Sequence, residues 1–105
     1  MKSTTRKVAK LIRQAVNQVD NKAEVILYGS RARGDERADS DWDILVLTDE
    51  PLDLARTRAF RYPLYDLALE LGEQFSVFVH SKKDWNNRQR ITPFYESVQQ
   101  EGVLL

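Results

Sequence analysis

The sequence predicts an α/β or α+β domain built on a small mixed β-sheet. Its 105 residues suffice for one hydrophobic core and leave no room for a second independent domain. Apolar residues make up 42% of the chain and recur in periodic blocks, as in globular proteins. The periodicity switches between helix and strand in the order α-β-β-α-β-α, which is the third observation behind this fold class. We therefore expect a single domain over residues 1–105.

The first half of the chain contains one predicted helix and two predicted strands. Apolar residues at helical spacing predict an amphipathic helix over residues 4–19. Two short apolar runs, 23–28 and 42–48, predict buried strands. Between them lies a polar connection, residues 29–40, which contains two glycines. The two strands therefore bracket a polar loop.

The second half of the chain alternates helix, strand and helix. Residues 53–71 predict a helix that Asp53 can cap at its start. We expect Pro63 to interrupt that helix, because proline cannot continue a helix without losing a hydrogen bond. Residues 74–80 form the third predicted strand. Residues 83–101 form the last predicted helix, which Pro93 can break and which a short apolar tail follows.

The composition excludes several kinds of site. The chain has no cysteine, which excludes disulfides, thiol catalysis and iron–sulfur clusters, and its one histidine, His80, excludes a multi-histidine metal centre. The formal net charge is zero, so the chain lacks the basic field typical of nucleic-acid binders. No apolar run approaches the roughly 20 residues that span a bilayer. We expect a cytoplasmic protein that binds neither a membrane nor nucleic acid.

The acidic residues are concentrated in one segment. Half of the 16 acids lie between Asp35 and Asp53, where Arg37 is the only base. Such crowding costs self-repulsion unless the charges are solvated or hold a cation. The segment is therefore either a solvated surface or part of a cation-binding site.

A phosphate-binding turn is predicted where the first strand ends. Gly29 permits close approach of the backbone to a ligand, and Ser30 can cap a short helix that begins at Arg31. The amide groups exposed at such a turn form an anion site, and Arg31 and Arg33 add positive charge nearby. A Gly-Ser turn alone is more often only a turn.

A pair of carboxylates is predicted at the start of the second strand. Asp41 and Asp43 are two residues apart, so both project from the same face of the strand, while Trp42 and Ile44 project from the other. Adjacent carboxylates repel each other unless a cation lies between them, and Mg²⁺ prefers oxygen ligands. An Asp-x-Asp pattern alone is often a solvated strand edge. Beside a phosphate-binding turn, the pair supplies the second half of a metal–nucleotide site.

Together these residues resemble the signature of the DNA-polymerase-β-like nucleotidyltransferase superfamily. The resemblance covers residues 27–47 and rests on Gly29, Ser30, Arg31, Arg33, Gly34, Ser40, Asp41 and Asp43. The small size and the string GSRARG…SDWDILV are similar to the minimal nucleotidyltransferases, the MNT proteins of prokaryotes. The resemblance implies a nucleotidyltransferase fold, in which helices pack mainly on one face of a small mixed sheet and the other face forms the site.

The resemblance also implies an enzyme activity. Asp41 and Asp43 would be the catalytic residues and would hold one or two Mg²⁺ ions. Gly29 and Ser30 would bind the β- and γ-phosphates of a nucleoside triphosphate, with ATP favoured. The residues implied in nucleotide binding are Gly29, Ser30, Arg31, Arg33 and Ser40. An acceptor hydroxyl would attack the α-phosphate and pyrophosphate would leave, so that an NMP unit is transferred.

The sequence departs from the family pattern at a third carboxylate. Active members of the superfamily usually carry it on a neighbouring strand. Period-2 alternation of residues 74–80 puts Ser76, Phe78 and His80 on one face, and Ser76 is the best match to the position that the resemblance implies. Serine is a neutral and weaker ligand for Mg²⁺ than a carboxylate. Glu70 and Glu73 precede the strand and are poor substitutes. The site is therefore expected to hold its metal less tightly or to catalyse more slowly.

Two other functions remain open. MNT proteins are often encoded beside a HEPN-domain toxin and act as its antitoxin. The resemblance allows neutralisation by binding, by adenylylating the toxin, or by both, and Ser76 favours a weak or inactive enzyme that acts by binding. A third function, nucleic-acid binding through the basic first helix, is disfavoured by the zero net charge.

Four aromatic side chains near these motifs are interpreted as structural. Trp42 alternates away from the two aspartates and is expected in the core. Trp85 is expected to anchor the start of the last helix, and Tyr28 to serve in packing. His80 shares the face of Ser76, but is interpreted as a strand-end histidine with a backbone partner.

Overall fold

The computed structural model describes all residues from Met1 to Leu105. Its helices and strands follow in the order α1 (Ser3–Val19), β1 (Glu24–Tyr28), α2 (Ser30–Arg33), β2 (Trp42–Thr48), α3 (Leu54–Leu71), β3 (Phe75–Ser81), α4 (Lys82–Asn87), α5 (Pro93–Glu101) and β4 (Val103–Leu104). A 3₁₀ turn at Gln89–Ile91 separates α4 from α5. None of the helices is both long enough and apolar enough to cross a membrane.

The four strands form one mixed sheet in the order β3-β2-β1-β4. β1 runs antiparallel to both β2 and β4, whereas β2 and β3 are parallel. Because parallel neighbours need a long crossover, α3 connects β2 to β3 across one face of the sheet. β3 therefore lies at an edge of the sheet and pairs with a neighbour on one side only.

The main core lies between the sheet and the helices α1 and α3. Its buried members are Ile12, Val16, Ala23, Val25, Leu27, Trp42, Ile44, Val46, Phe60, Leu64, Val77 and Val79. Trp42, Ile44 and Val46 of β2 all point into this core, which confirms the alternation predicted from the sequence. The predicted helices and the three predicted strands are present within one or two residues at their ends, except where described below.

A smaller cluster lies on the opposite face of the sheet. It consists of Leu45 and Leu47 of β2, Trp85 of α4 and Val98 of α5. Trp85 is buried, and its ring packs edge-on against Phe94 of α5 with 5.3 Å between the ring centroids, so it anchors α4 at the start of the predicted last helix. The short C-terminal helices therefore cover this face along β2, while the two long helices cover the other.

Pro63 does not interrupt α3, which contradicts the sequence prediction. The helix runs without a break from Leu54 to Leu71. Proline in a helix interior costs about 3 kcal/mol. Phe60 and Leu64 flank it and are fully buried in the main core, and such burial contributes about 1.5–3 kcal/mol for each side chain. Packing of these two side chains therefore holds the helix together through the proline.

The predicted helix 83–101 is broken before Pro93, as the sequence allowed, and a 3₁₀ turn lies between its two parts. Pro93 lies in the first turn of α5. Backbone N–H groups in a first turn have no acceptor within the helix, so a residue without an N–H is tolerated there and a new helix can begin. The apolar tail is a strand: in β4, Val103 lies opposite Leu27 and Leu104 lies opposite Ile26. Two residues are too few for alternation to reveal a strand, so only the pairing with β1 identifies it.

Asp53 caps α3 as the sequence predicts, and its removal is expected to destabilise the fold. Its Oδ1 accepts a hydrogen bond of 2.7 Å from the Arg56 backbone N–H. We expect Asp53→Ala to lower the free energy of unfolding by about 1 kcal/mol, measured by urea denaturation. Asp66→Ala is the matched control, since Asp66 is exposed on the same helix. Equal losses in both variants would contradict a capping role.

Candidate active site

Asp43 occupies the centre of a row of three residues across the sheet. Tyr28 of β1 lies opposite it on one side and Ser76 of β3 on the other. Paired residues in neighbouring strands point to the same face, so the three side chains stand side by side. Ser76 is thus the neighbour of Asp43, as the alternation predicted. The structure has no cluster of three or more Asp, Glu, His or Cys side chains close enough to share a metal ion.

Gly29 brings the backbone against the carboxylate of Asp43. A Cβ built on Gly29 would overlap Asp43 Oδ2 and lie 3.1 Å from Asp43 Cγ. Its φ of +75° is also a conformation that residues with a side chain rarely adopt. Position 29 therefore requires glycine on two counts, one of backbone conformation and one of space.

Gly29, rather than Ser30, is the residue that caps the short helix α2. The Gly29 carbonyl accepts hydrogen bonds of 3.1 and 3.0 Å from the backbone N–H groups of Ala32 and Arg33. Ser30 is the first residue of α2 and not its cap, which corrects the sequence prediction by one position. The reason is that the positive φ of Gly29 turns the chain into the helix one residue earlier. The first N–H groups of the helix have no carbonyl within it to accept their hydrogen bonds.

The carboxyl of Asp43 is difficult to ionise. Burial and the negative charge of Asp41 raise its pKa above the usual range, and Glu101 adds to this, while Arg33 opposes it. Burial and the charge of Asp43 also raise the pKa of Tyr28. Asp41 itself is exposed and directly precedes β2. The structure thus brings the two predicted aspartates together as a repulsive pair.

Arg33 links the turn to the C-terminal helix. Its Nη1 lies 2.9 Å from Oε2 of Glu101 at the end of α5, and its Nε lies 3.1 Å from Oδ2 of Asp35. Sequence analysis missed Glu101, since no local pattern distinguishes it. The nearest signal was the glycine and apolar tail that follow it, because β4 pairs with the end of β1 and so carries the end of α5 to the glycine turn.

Arg31 fastens the connection between β1 and β2. Its guanidinium lies over the Trp42 ring, 4.6 Å from the ring centroid. It also donates a hydrogen bond of 3.0 Å to the Ser40 carbonyl and lies 3.6 Å from Oε2 of Glu73. Glu73 in turn accepts a hydrogen bond of 3.2 Å from Trp42 Nε1. Through these contacts, Arg31 and Glu73 together support the loop between β1 and β2.

The remaining predicted site residues lie in less direct positions. Ser40 Oγ accepts a hydrogen bond of 2.9 Å from the Arg37 backbone N–H and so closes a turn. His80 lies four positions beyond Ser76 along β3, about 13 Å away at the usual rise per residue. Its partner is a carboxylate, Asp84 Oδ2 at 3.2 Å from Nδ1, rather than the predicted backbone group. His80 is therefore not part of the site.

Arg31 holds the loop between β1 and β2 in place, so its replacement is expected to change nucleotide affinity indirectly, by moving this loop. We expect Arg31→Met to lower the free energy of unfolding by about 1–2 kcal/mol, because it removes a cation–π contact and a hydrogen bond. The KM for nucleotide should rise while kcat changes less. Arg37→Met is the control, since Arg37 is exposed in the same loop. An unchanged melting temperature in Arg31→Met would contradict this role.

The donor atoms at the site fit a magnesium ion. Asp41 and Asp43 offer carboxylate oxygens, and the Ser76 hydroxyl lies next to them. Mg²⁺ prefers such oxygen ligands and keeps several waters. A cation would also remove the repulsion that raises the pKa of Asp43.

The fold and the site define an α/β domain that places a glycine turn against a carboxylate pair, the arrangement needed to bind a metal-chelated phosphate group. Comparison with known families agrees with this class. Residues 8–98 match the family described as nucleotidyltransferase domain. The chain belongs to this family, which confirms the prediction made from its motifs.

A curated relative and several solved structures are similar to the chain. A protein of Methanocaldococcus jannaschii, provisionally named a protein adenylyltransferase, is 31% identical over 101 residues, which are 91% of this chain and 95% of the relative. A toxin–antitoxin crystal structure with AMP-PNP has a TM-score of 0.60 and 21% identity, over 88% of this chain and 70% of the other. The crystal structure of a toxin–antitoxin MntA–HpeT mutant has a TM-score of 0.61 and 22% identity, over 95% of this chain and 70% of the other.

A third solved structure, of a nucleotidyltransferase from Sulfolobus solfataricus, has a TM-score of 0.54 and 22% identity, over 95% of this chain and 80% of the other. At these identities the solved structures show a shared fold. The fold class predicted from the sequence, with its mixed sheet and packed helices, is therefore confirmed.

Proposed function

We propose that residues 1–105 act as one cytoplasmic nucleotidyltransferase domain, which transfers AMP from MgATP to a hydroxyl group of a partner protein. The observation that carries this proposal is the contact between the Gly29 backbone and the Asp43 carboxylate, beside Asp41. It sets the glycine turn next to a pair of oxygen ligands. The name of the Methanocaldococcus jannaschii relative supports a protein as acceptor, and the AMP-PNP in the toxin–antitoxin structure supports an adenine nucleotide.

The turn and the carboxylates have separate roles in this proposal. The Gly29-Ser30 turn binds the β- and γ-phosphates through backbone N–H groups, and Arg33 adds positive charge. Asp41 and Asp43 hold Mg²⁺, which when bound stabilises charge on the attacking and leaving oxygens. Arg31 acts at a distance, through the loop that it fastens.

The reaction is an in-line displacement at the α-phosphorus. The acceptor hydroxyl oxygen forms a bond to this phosphorus, and the bond from phosphorus to the bridging oxygen of the β-phosphate breaks. Pyrophosphate leaves with that electron pair, and the hydroxyl proton is lost to water. The contribution of the protein is mostly positioning and neutralisation of charge.

A second candidate function is neutralisation of a HEPN-domain toxin by binding alone. The observation that favours it is the position of Ser76 beside Asp43, where active relatives are expected to carry a carboxylate. In that case the chain would bind MgATP and its partner without transferring AMP.

One experiment distinguishes the two functions. The purified chain is incubated with α-labelled ATP and Mg²⁺, with and without the product of the neighbouring gene, and label on protein is measured. We expect label on the partner, dependent on Mg²⁺. Complex formation without label would support binding alone, and the absence of both MgATP binding and label would contradict the proposed transferase.

Ser76→Asp is expected to strengthen metal binding. The new carboxylate would stand beside Asp43 and provide a third charged oxygen ligand. We expect the Mg²⁺ dissociation constant to fall about tenfold, measured by calorimetry with MgATP, and the melting temperature in EDTA to fall because a third negative charge is added. Ser97→Asp, at an exposed serine of α5, is the control. Unaltered metal affinity would mean that position 76 does not face the ion.

A further inference from the structure

We propose that the free edge of β3 and the adjacent side of α3 form a docking groove, in which an extended segment of the acceptor protein pairs with β3 as a fifth strand. The inference rests on the proposed function and adds where the acceptor lies. The groove has a volume of about 720 Å³. Its lining includes Asp41, Arg61, Tyr65, Leu69, Ser76 and Phe78, so it reaches from the apolar edge to Asp41, the outer member of the carboxylate pair.

The backbone of β3 offers hydrogen bonds to a new strand. β3 pairs with β2 on one side and has no neighbour on the other. Its seven residues, Phe75–Ser81, span about 23 Å. Such an edge presents unpaired N–H and C=O groups, which an extended peptide can satisfy by strand addition.

The side chains along this edge are apolar and exposed. Leu69 is 81% exposed, Phe78 43% and Tyr65 39%. All three line the same groove, on both sides of the strand edge. Exposed apolar side chains that are grouped in this way mark a surface that binds another chain.

The charge of the groove specifies one feature of its occupant. Arg61 forms no ion pair or hydrogen bond, and its buried Nε has no partner. On the same helix, Arg56 is paired with Asp20 at 2.7 Å. Glu73, which also lines the groove, lies 3.6 Å from the guanidinium of Arg31. An acidic side chain on the docked segment would complement Arg61, so the occupant is an extended segment with both acidic and apolar residues.

The strand register then places the acceptor hydroxyl. The row Tyr28, Asp43, Ser76 continues onto an added strand, so the residue opposite Ser76 projects on the same face as Asp43. Ser76 is small, which leaves the space between this residue and the carboxylate open. On the docked segment, the two residues adjacent to the hydroxyl residue project to the opposite face, toward Arg61 and Leu69. The residues two positions from the hydroxyl residue project to the same face as it does, toward Phe78. We expect an acid next to the hydroxyl residue and an apolar residue two positions away.

An array of synthetic peptides tests this pattern. Each peptide has a central Ser, Thr or Tyr, either Asp or Arg next to it, and either Leu or Gly two positions away. The full chain, fluorescently labelled, is first bound to the array with Mg²⁺ and α,β-methylene-ATP, whose α–β bond does not break. The same array is then treated with unlabelled chain and α-labelled ATP. The variants are Arg61→Glu and, as control on the same helix, Arg58→Glu.

We expect peptides with Asp next to the central residue to bind at least tenfold more strongly than those with Arg. The Arg61→Glu variant should prefer Arg instead, whereas the Arg58→Glu variant should keep the preference for Asp. Methylation of backbone nitrogens in the best peptide should weaken binding at every second position, as strand pairing requires. Binding that ignores the flanking residues, or a methylation profile without this alternation, would overturn the proposal.

Two further outcomes separate this proposal from others. Patterned binding without label would leave the docking groove supported and contradict the transferase, whereas label on peptides regardless of their flanking residues would support the transferase and contradict the groove. Sedimentation shows whether a second copy occupies the edge instead. A dimer that Leu69→Arg converts to a monomer would also overturn the proposal.

Discussion

Gly29→Ala is expected to lower nucleotide transfer by about 100-fold or more, the loss typical of a displacement of about 1 Å at a reacting centre. The new Cβ would overlap Asp43 Oδ2, so the turn and the carboxylate cannot keep their present separation. Either the glycine turn moves away or Asp43 rotates out of its place beside Ser76. MgATP affinity, measured by titration calorimetry, should fall with the rate.

Gly34→Ala is the matched control for this variant. Gly34 has a φ of +84°, close to the +75° of Gly29, but a Cβ on it would meet no atom within 4 Å. Both variants lose stability because a side chain disfavours a positive φ. The backbone loss should be larger in Gly29→Ala, since a ψ of −160° at this φ is accessible essentially only to glycine, and only Gly29→Ala adds the clash. In a double-mutant cycle, Asp43→Ala should relieve part of the extra loss of stability. Equal effects of the two glycine variants on transfer would contradict the role given to Gly29.

Replacement of the carboxylate pair is expected to have an effect of similar size on activity and an opposite effect on stability. Asp41→Asn with Asp43→Asn should lower transfer by about 100-fold or more, because it removes the carboxylate oxygens that we propose as ligands of Mg²⁺. In EDTA the same variant should melt at an equal or higher temperature than the wild type, since the repulsion between the two carboxylates is gone. Added Mg²⁺ should stabilise the wild type more than the variant by mass action.

The difference in stability between wild type and variant in EDTA should depend on pH, because the pKa of Asp43 is raised. The folded state holds the proton of Asp43 more tightly than the unfolded state does, so this residue destabilises the fold as the pH rises from the ordinary carboxyl range through the folded pKa. In EDTA at neutral pH, the Asp43→Asn variant should therefore be more stable than the wild type. This difference in stability should vanish at a pH below the ordinary pKa of aspartate, about 3.9.

Asp39→Asn is the control for the carboxylate variants. Asp39 is exposed in the same acidic segment, two residues before Asp41. It should alter neither transfer nor the response to Mg²⁺. A clear fall in melting temperature for Asp43→Asn in EDTA would show instead that Asp43 is structural, with Arg33 as its partner.

The local patterns of the sequence determined most of the secondary structure and the centre of the site. Alternation along residues 42–48 correctly assigned Trp42 to the core and Asp43 to the other face. The same rule put Ser76, Phe78 and His80 on one face of the third strand, and the family resemblance selected Ser76, which lies opposite Asp43 in the parallel pair. These successes concern side chains whose direction depends on the backbone of their own strand.

Only the tertiary structure decided features that depend on contacts between distant segments. The buried neighbours Phe60 and Leu64 kept α3 continuous through Pro63, where local propensity predicted a break. Packing of Arg31 on Trp42 engaged a guanidinium that the motif alone would have assigned to phosphate. Glu101 and the free edge of β3 have no local signature, since strand order and the return of β4 place them beside the site. A local pattern specifies the direction of a side chain, whereas its partner is set by which segments the fold brings together.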